Sequence, residues 1–202
     1  MSKPAPWLIL GMGNPGAKYD GTLHNVGRET VQILGARTRS NFRRHRSGVL
    51  VAQTQFEMGM DAPTVLLAQS RTFMNVSGPT YASLIKAFKV PLDHVLVIQD
   101  DLDLEAHLLR LKMGGGEGGH NGLRSLSKAV GSKDYARLRI GIGRPPGHMD
   151  PAHYVLAPIP KAQREEWRVT LEQAADVAQS VVSEGFVKAQ MALHTADNLG
   201  EK

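Results

Sequence analysis

Apolar residues in this chain follow two rhythms that alternate along its length. Short unbroken runs, Trp7-Leu8-Ile9-Leu10 and Val95 to Gln99, have the length and bounding turns of buried strands. Val49 to Phe56, Thr64 to Ala68 and Leu108 to Lys112 read as further strands, the first two joined by a hairpin-like turn at Met58-Gly59-Met60-Asp61-Ala62-Pro63. Arg137 to Ile142 alternates charged and apolar positions, with Leu138, Ile140 and Ile142 on one face, which predicts a half-buried strand. Helical spacing covers about Asn25 to Thr38, capped by Thr22, with Val26, Ile33 and Leu34 turned inward. A second helix starts at Ser77-Gly78-Pro79, with Ser77 at the cap, and ends near Phe88. Asn121 to Val130 is a third, and Lys161 to His194 one or two amphipathic helices, with the last residues expected to fray. Pro145 to Pro160 reads as an irregular loop. Strands and helices in alternation predict an α/β fold: a single domain over residues 1–202, with a mixed sheet flanked by helices on both faces, a three-layer sandwich.

Composition narrows the function classes. The chain has no cysteine, which removes disulfides and thiolate metal sites. Its start carries no apolar stretch of signal-peptide length and no run is long enough to cross a bilayer, so a cytoplasmic location is expected. The net charge of +5 is modest, but it is concentrated: Arg37, Arg39, Arg43, Arg44 and Arg46 crowd one segment, and Arg137, Arg139 and Arg144 another. Either cluster alone reads as solvated surface; both together favour a nucleic-acid partner.

Chemistry concentrates at strand ends. The run Gly114-Gly115-Gly116-Glu117-Gly118-Gly119-His120-Asn121-Gly122 lets backbone N–H groups approach a polar or anionic ligand and closes on a ring and an amide. Gly11-Met12-Gly13-Asn14-Pro15-Gly16 matches G-x-G-x-x-G after a strand, but Pro15, Gly16, Asp20 and Gly21 interrupt the helix that a dinucleotide site requires. The position of its ribose-binding acid falls at Ile33-Leu34, inside a helix. His24 lies near a helix start, where the ring tends to stay neutral, as a general base must be. Asp100, at the carboxyl end of a buried strand, is the partner that would fix its tautomer; Asp101 and Asp103 compete, although strand geometry turns Asp101 to the opposite face. Asn14, Asn75 and Asn121 each sit in a turn, where such residues are usually conformational, yet three at the ends of different elements suggest converging amides. His24, His120 and Asp100 could meet at a metal, but no ligand spacing supports it, and His107, His148 and His153 lack a ligand-like pairing.

Together, Gly11 to Gly16, Tyr19 with Thr22-Leu23-His24-Asn25, Thr72-Phe73-Met74-Asn75-Val76-Ser77-Gly78, Gln99 to Leu104, Lys112 to Gly122 and Arg137 to Pro145 resemble bacterial-type peptidyl-tRNA hydrolase, in order and over nearly the whole chain. The resemblance implies a monomeric, metal-independent and cofactor-free enzyme that cleaves the ester between a peptide and the 3′ ribose of tRNA, returning tRNA from stalled translation. Carried over motif by motif, His24 is the base that deprotonates a water and Asp100 orients it. Asn14 and Asn75 hold the peptide and ester, Asn121 positions the water or carbonyl, and Tyr19, Met74 and His120 belong to the substrate site. Lys112 and Arg139 clamp the tRNA 5′ phosphate, and the basic C-terminal face of the domain follows the acceptor stem from the 3′ CCA end. Two departures stand out: Leu23 where the family often has Arg, and Glu117 where some members have His.

Two other classes compete. A non-catalytic RNA-binding relative would keep the fold but not the His24, Asp100 and asparagine set. A small-ester hydrolase would need a nucleophile elbow, and no G-x-S-x-G occurs.

Overall fold

The computed structural model describes residues 4–59 and 61–200. Seven strands form one sheet: β1 (Trp7–Gly11), β2 (Arg43–Arg44), β3 (Val49–Thr54), β4 (Val65–Ser70), β5 (Val95–Asp101), β6 (Leu109–Met113) and β7 (Ala136–Gly141). They lie in the order β2-β3-β4-β1-β5-β7-β6. The central β4, β1, β5 and β7 are parallel, and β3 and β6 run antiparallel to their inner neighbours. Of the central strands, β1, β4 and β5 are the unbroken apolar runs, as burial on both faces demands, whereas β7 alternates arginine with apolar residues.

Helices α1 (Val26–Arg37), α2 (Gly78–Phe88), α3 (Asn121–Val130), α4 (Pro151–Val155), α5 (Arg164–Glu184) and α6 (Phe186–Gly200) complete the fold. Alternate strand residues divide the core in two. Ile9, Leu67, Leu96, Ile98 and Leu138 pack with Val31 and Leu34 of α1 and with Trp167 and Leu171 of α5. Leu8, Leu10, Leu66 and Val97 pack with Tyr81 and Leu84 of α2 and with Leu123 and Leu126 of α3. Among the described residues no helix is long and apolar enough to cross a membrane.

Several expected details change. Thr22 and Ser77 do not cap helices through their hydroxyls; each donates backwards, to the carbonyls of Tyr19 and Met74. Arg137 is no surface charge. It is 2% exposed and donates to the carbonyls of Gly115, Gly116 and Lys133, strapping the glycine run to β7. The loop before Pro160 contains α4, because the Asp150 carboxylate accepts from the N–H of Ala152 and Pro151 opens the first turn. The tip of the 58–63 turn at Met60 and the chain end beyond 200 lie outside the described residues.

The outer edge of β6 is closed by α6: Gln190 donates to the Leu111 carbonyl, and His194 accepts from the Leu111 N–H. The opposite edge, β2, is two residues long and carries two exposed arginines.

Candidate active site

The carboxyl ends of β1, β4 and β5 open into one cleft of about 360 Å³. An open α/β sheet places ligands there because loops diverge and side chains from several elements converge. Asn14, just beyond β1, lines it with Met74 and Asn75, which follow β4. Asp100 at the end of β5 and His24 before α1 form the floor, and His120 and Asn121 at the start of α3 close the other wall. Helix α1 comes close enough because residue 27 is glycine: a Cβ there would stand 2.1 Å from the Ile98 carbonyl oxygen.

Asp100 is 4% exposed and is met from both layers. His24 Nδ1 lies 2.9 Å from each carboxylate oxygen, and His120 Nε2 lies 3.0 Å from Oδ1. The tautomers follow from the network. His120 Nδ1 accepts from the Leu123 N–H, so its proton sits on Nε2 and points at Asp100. His120 is thus the N-cap of α3, a duty not expected of it from sequence. His24 donates from Nδ1, and its Nε2 has no hydrogen-bond partner among the described residues. Burial disfavours a charged Asp100, yet the two histidines outweigh it and hold the carboxyl far below its usual range. Burial likewise disfavours a protonated His24, but Asp100 overcomes it and raises the ring above its ordinary 6.5. His24 lies in a short turn, Leu23–Asn25, before α1, where its pairing with Asp100 opposes the preference for a neutral ring expected at the helix start.

The asparagines are anchored to different degrees. Asn14 is locked: its N–H donates to Asn25 Oδ1, its carbonyl accepts from Asn25 Nδ2, and its side-chain oxygen accepts from the Met74 N–H. Its amide NH2 is what remains for a ligand. Asn75 and Asn121 are exposed, and Asn121 Oδ1 lies 3.4 Å from Arg124. Asn25 was missed as a site residue, although its place beside His24 was the available signal. Gln99 was missed too; it is 3% exposed, lines the cleft, and its Oε1 is buried with no hydrogen-bond partner among the described residues.

Three expected residues stand outside the cleft. Tyr19 packs edge-on against Phe73 with ring centroids 6.1 Å apart. Lys112 and Arg139 share a face of the β6–β7 pair beyond α3, and Arg139 Nε donates to Asp101 at 2.7 Å. That bond shows Asp101 turned away from His24, and Asp103 pairs with Arg144, so neither competes with Asp100. The two departures are explained locally: Leu23 is buried in the α1-side core, and Glu117 lines the cleft mouth while accepting from Lys133.

The same trio of His24, Asp100 and His120 brings one ligand atom each within 4.8 Å, close enough to hold a metal ion.

A buried carboxylate paired with an imidazole in a cleft lined by amides is an arrangement suited to hydrolytic chemistry on an α/β sheet. Comparison with known proteins is specific. The family model described as Peptidyl-tRNA hydrolase matches residues 8–201, and the chain belongs to that family. It is 47% identical over 191 residues to the peptidyl-tRNA hydrolase of Kineococcus radiotolerans, covering 93% of this chain and 96% of the relative. It is 48% identical over 188 residues to that of Rhodococcus jostii, covering 93% and 97%. The crystal structure of peptidyl-tRNA hydrolase from Acinetobacter baumannii superposes with a TM-score of 0.83 at 27% identity, covering 96% of each chain.

Proposed function

We propose that this protein hydrolyses the ester joining a peptide, or an N-blocked aminoacyl group, to the 3′ ribose of tRNA, with His24 as general base. The observation that carries the reading is the couple in which His24 Nδ1 is held by Asp100 and Nε2 is left facing the cleft. A water on Nε2 gives up its proton as it adds to the ester carbonyl. The amide NH2 groups of Asn14 and Asn75 meet the developing oxyanion and the peptide backbone, and Asn121 orients the water. Collapse breaks the ester bond, and the departing ribose 3′ oxygen takes the proton back from His24. Free tRNA and a peptide carboxylate result. General-base catalysis contributes about 10²–10⁴-fold, and an oriented oxyanion donor about 10²–10³-fold. An activated ester can therefore be cleaved here with neither a metal nor a covalent nucleophile. A free α-ammonium beside Asn14 would be costly to desolvate, which spares ordinary aminoacyl-tRNA.

Lys112 and Arg139 would clamp the 5′ phosphate; the Nη groups of Arg139 remain available while Nε is held by Asp101. The chain would act as a monomeric single domain in the cytoplasm. The test is release of the amino acid from N-acetyl-aminoacyl-tRNA in EDTA, comparing wild type with His24→Ala. Hydrolysis by wild type alone supports the reading. Binding of tRNA without hydrolysis by either would favour a non-catalytic RNA-binding relative.

A further inference from the structure

The two arginine-rich segments meet opposite fates. In the 137–144 segment every arginine is engaged: Arg137 on three carbonyls, Arg139 on Asp101 and Arg144 on Asp103. Residues 30–56 contain five arginines and no aspartate or glutamate. Arg37 is satisfied by Glu172 and Asp176 of α5. Arg43, Arg44 and Arg46 are exposed and have no carboxylate partner among the described residues; the same holds for Arg71.

Arg46 sits on a built turn, with Arg43 and Arg44 of β2 leading into it and Arg71 joined to it from the end of β4. The His45 N–H donates to the Val49 carbonyl and the Gly48 N–H to the His45 carbonyl. Ser47 bonds the His45 ring, which packs on Phe88 with centroids 5.5 Å apart. The Arg71 N–H reaches the Gly48 carbonyl at 3.3 Å, joining the turn to the end of β4. Because β3 is antiparallel to β4, and β2 to β3, the 45–48 turn opens at the same end of the sheet as Asn14 and Asp100. Its β2 side lies three strands from β1, about 14 Å at the usual strand spacing. Arg71 is followed directly by the Thr72–Asn75 segment that enters the cleft.

Arginines on an edge strand also discourage strand addition, which accounts for Arg43 and Arg44. It does not account for Arg46 and Arg71, which lie outside the ladder and have no carboxylate partner among the described residues. We infer that Arg43, Arg44, Arg46 and Arg71 form a second phosphate-binding edge that grips the body of the tRNA substrate while its 3′ end occupies the cleft. This rests on the reading of the cleft as a peptidyl-tRNA hydrolase site. Exposed guanidinium groups match phosphate oxygens in pairs, and each contact releases condensed counterions.

The test uses the full chain with Arg43, Arg44 and Arg46 all changed to Gln, and Arg71→Gln separately. Each is assayed on N-acetyl-aminoacyl-tRNA and on the same ester carried by a CCA trinucleotide, too short to reach the edge. On tRNA, KM of the triple variant should rise about tenfold or more at moderate salt with kcat kept, and the salt slope should fall by about one per lost phosphate contact. On the trinucleotide ester, it should match wild type. Unchanged KM and slope on tRNA would overturn the inference, as would equal losses on both substrates. A KM change that tracks acidic residues in the acyl peptide rather than the length of the RNA would reassign the edge to the peptide and overturn it too. If wild type cleaves neither ester, the catalytic reading itself falls and takes this one with it; cleavage of both with no edge effect removes the edge alone.

Discussion

His24 and His120 approach Asp100 from opposite layers of the sheet, at 2.9 and 3.0 Å, and both donate to it. What separates them is the other nitrogen. In His120 it is spent on the Leu123 N–H at the start of α3; in His24 it faces the cleft. The same carboxylate therefore holds one ring as an anchor and leaves the other as the base of the proposed reaction. A histidine's role here is read from its second ring nitrogen, not from its partner.

The sharpest way to break that contrast is His24→Ala, which should lower kcat on N-acetyl-aminoacyl-tRNA by about 10²–10⁴-fold and leave tRNA binding in place. Retained turnover would place the base elsewhere. Asp100→Asn comes next. It should cost much of the same rate and also move the pH profile. The base works only when neutral, so kcat/KM rises as pH passes the His24 value, which Asp100 holds above 6.5 in the wild type. Without the carboxylate only burial acts on the ring, and the acid limb should shift to lower pH. An unmoved limb would show that Asp100 does not set the charge of His24.

His120 offers the milder test. His120→Ala should remove the cap and cost about 0.5–2 kcal/mol in urea unfolding, whereas His120→Asn should keep most of the cap and lose only the bond to Asp100. Both should leave more rate than His24→Ala, and a collapse equal to it would make the two histidines equivalent. The smallest effect is acid stability. The native carboxyl of Asp100 is held below its unfolded value of 3.8, so its contribution is complete above that pH and fades as pH falls further. Urea midpoints of wild type and Asp100→Asn should converge below about pH 4. Midpoints that stay parallel across that range would deny the coupling.

Much of this was legible in the chain because its signals were local. The α3 boundaries, Asn121 to Val130, follow from a glycine run and an apolar stripe, and β5 from an unbroken apolar run. Asp100 and His24 were nameable because strand ends and helix starts are where α/β folds place their chemistry. The missing parts were long-range. Nothing near Arg137 announces that it will be buried under the glycine loop, since that requires β7 to lie beneath residues 115 and 116. His120 as a cap and Asn25 as the lock on Asn14 depend on which atoms meet after folding. Capping hydroxyls failed at Thr22 and Ser77 because each found a nearer carbonyl behind it in the turn.

The side chains of α6 that cover β6 also guard against misassembly. Leu111 offers a free N–H and carbonyl on the outermost strand, the pattern onto which a foreign strand can add. Gln190 and His194 occupy both groups. At the far margin, β2 stops after two charged residues before a neighbour could find a register. The sheet therefore finishes itself at both ends, one by a side-chain seal and the other by brevity and charge, and an open-ended ribbon is denied a place to start.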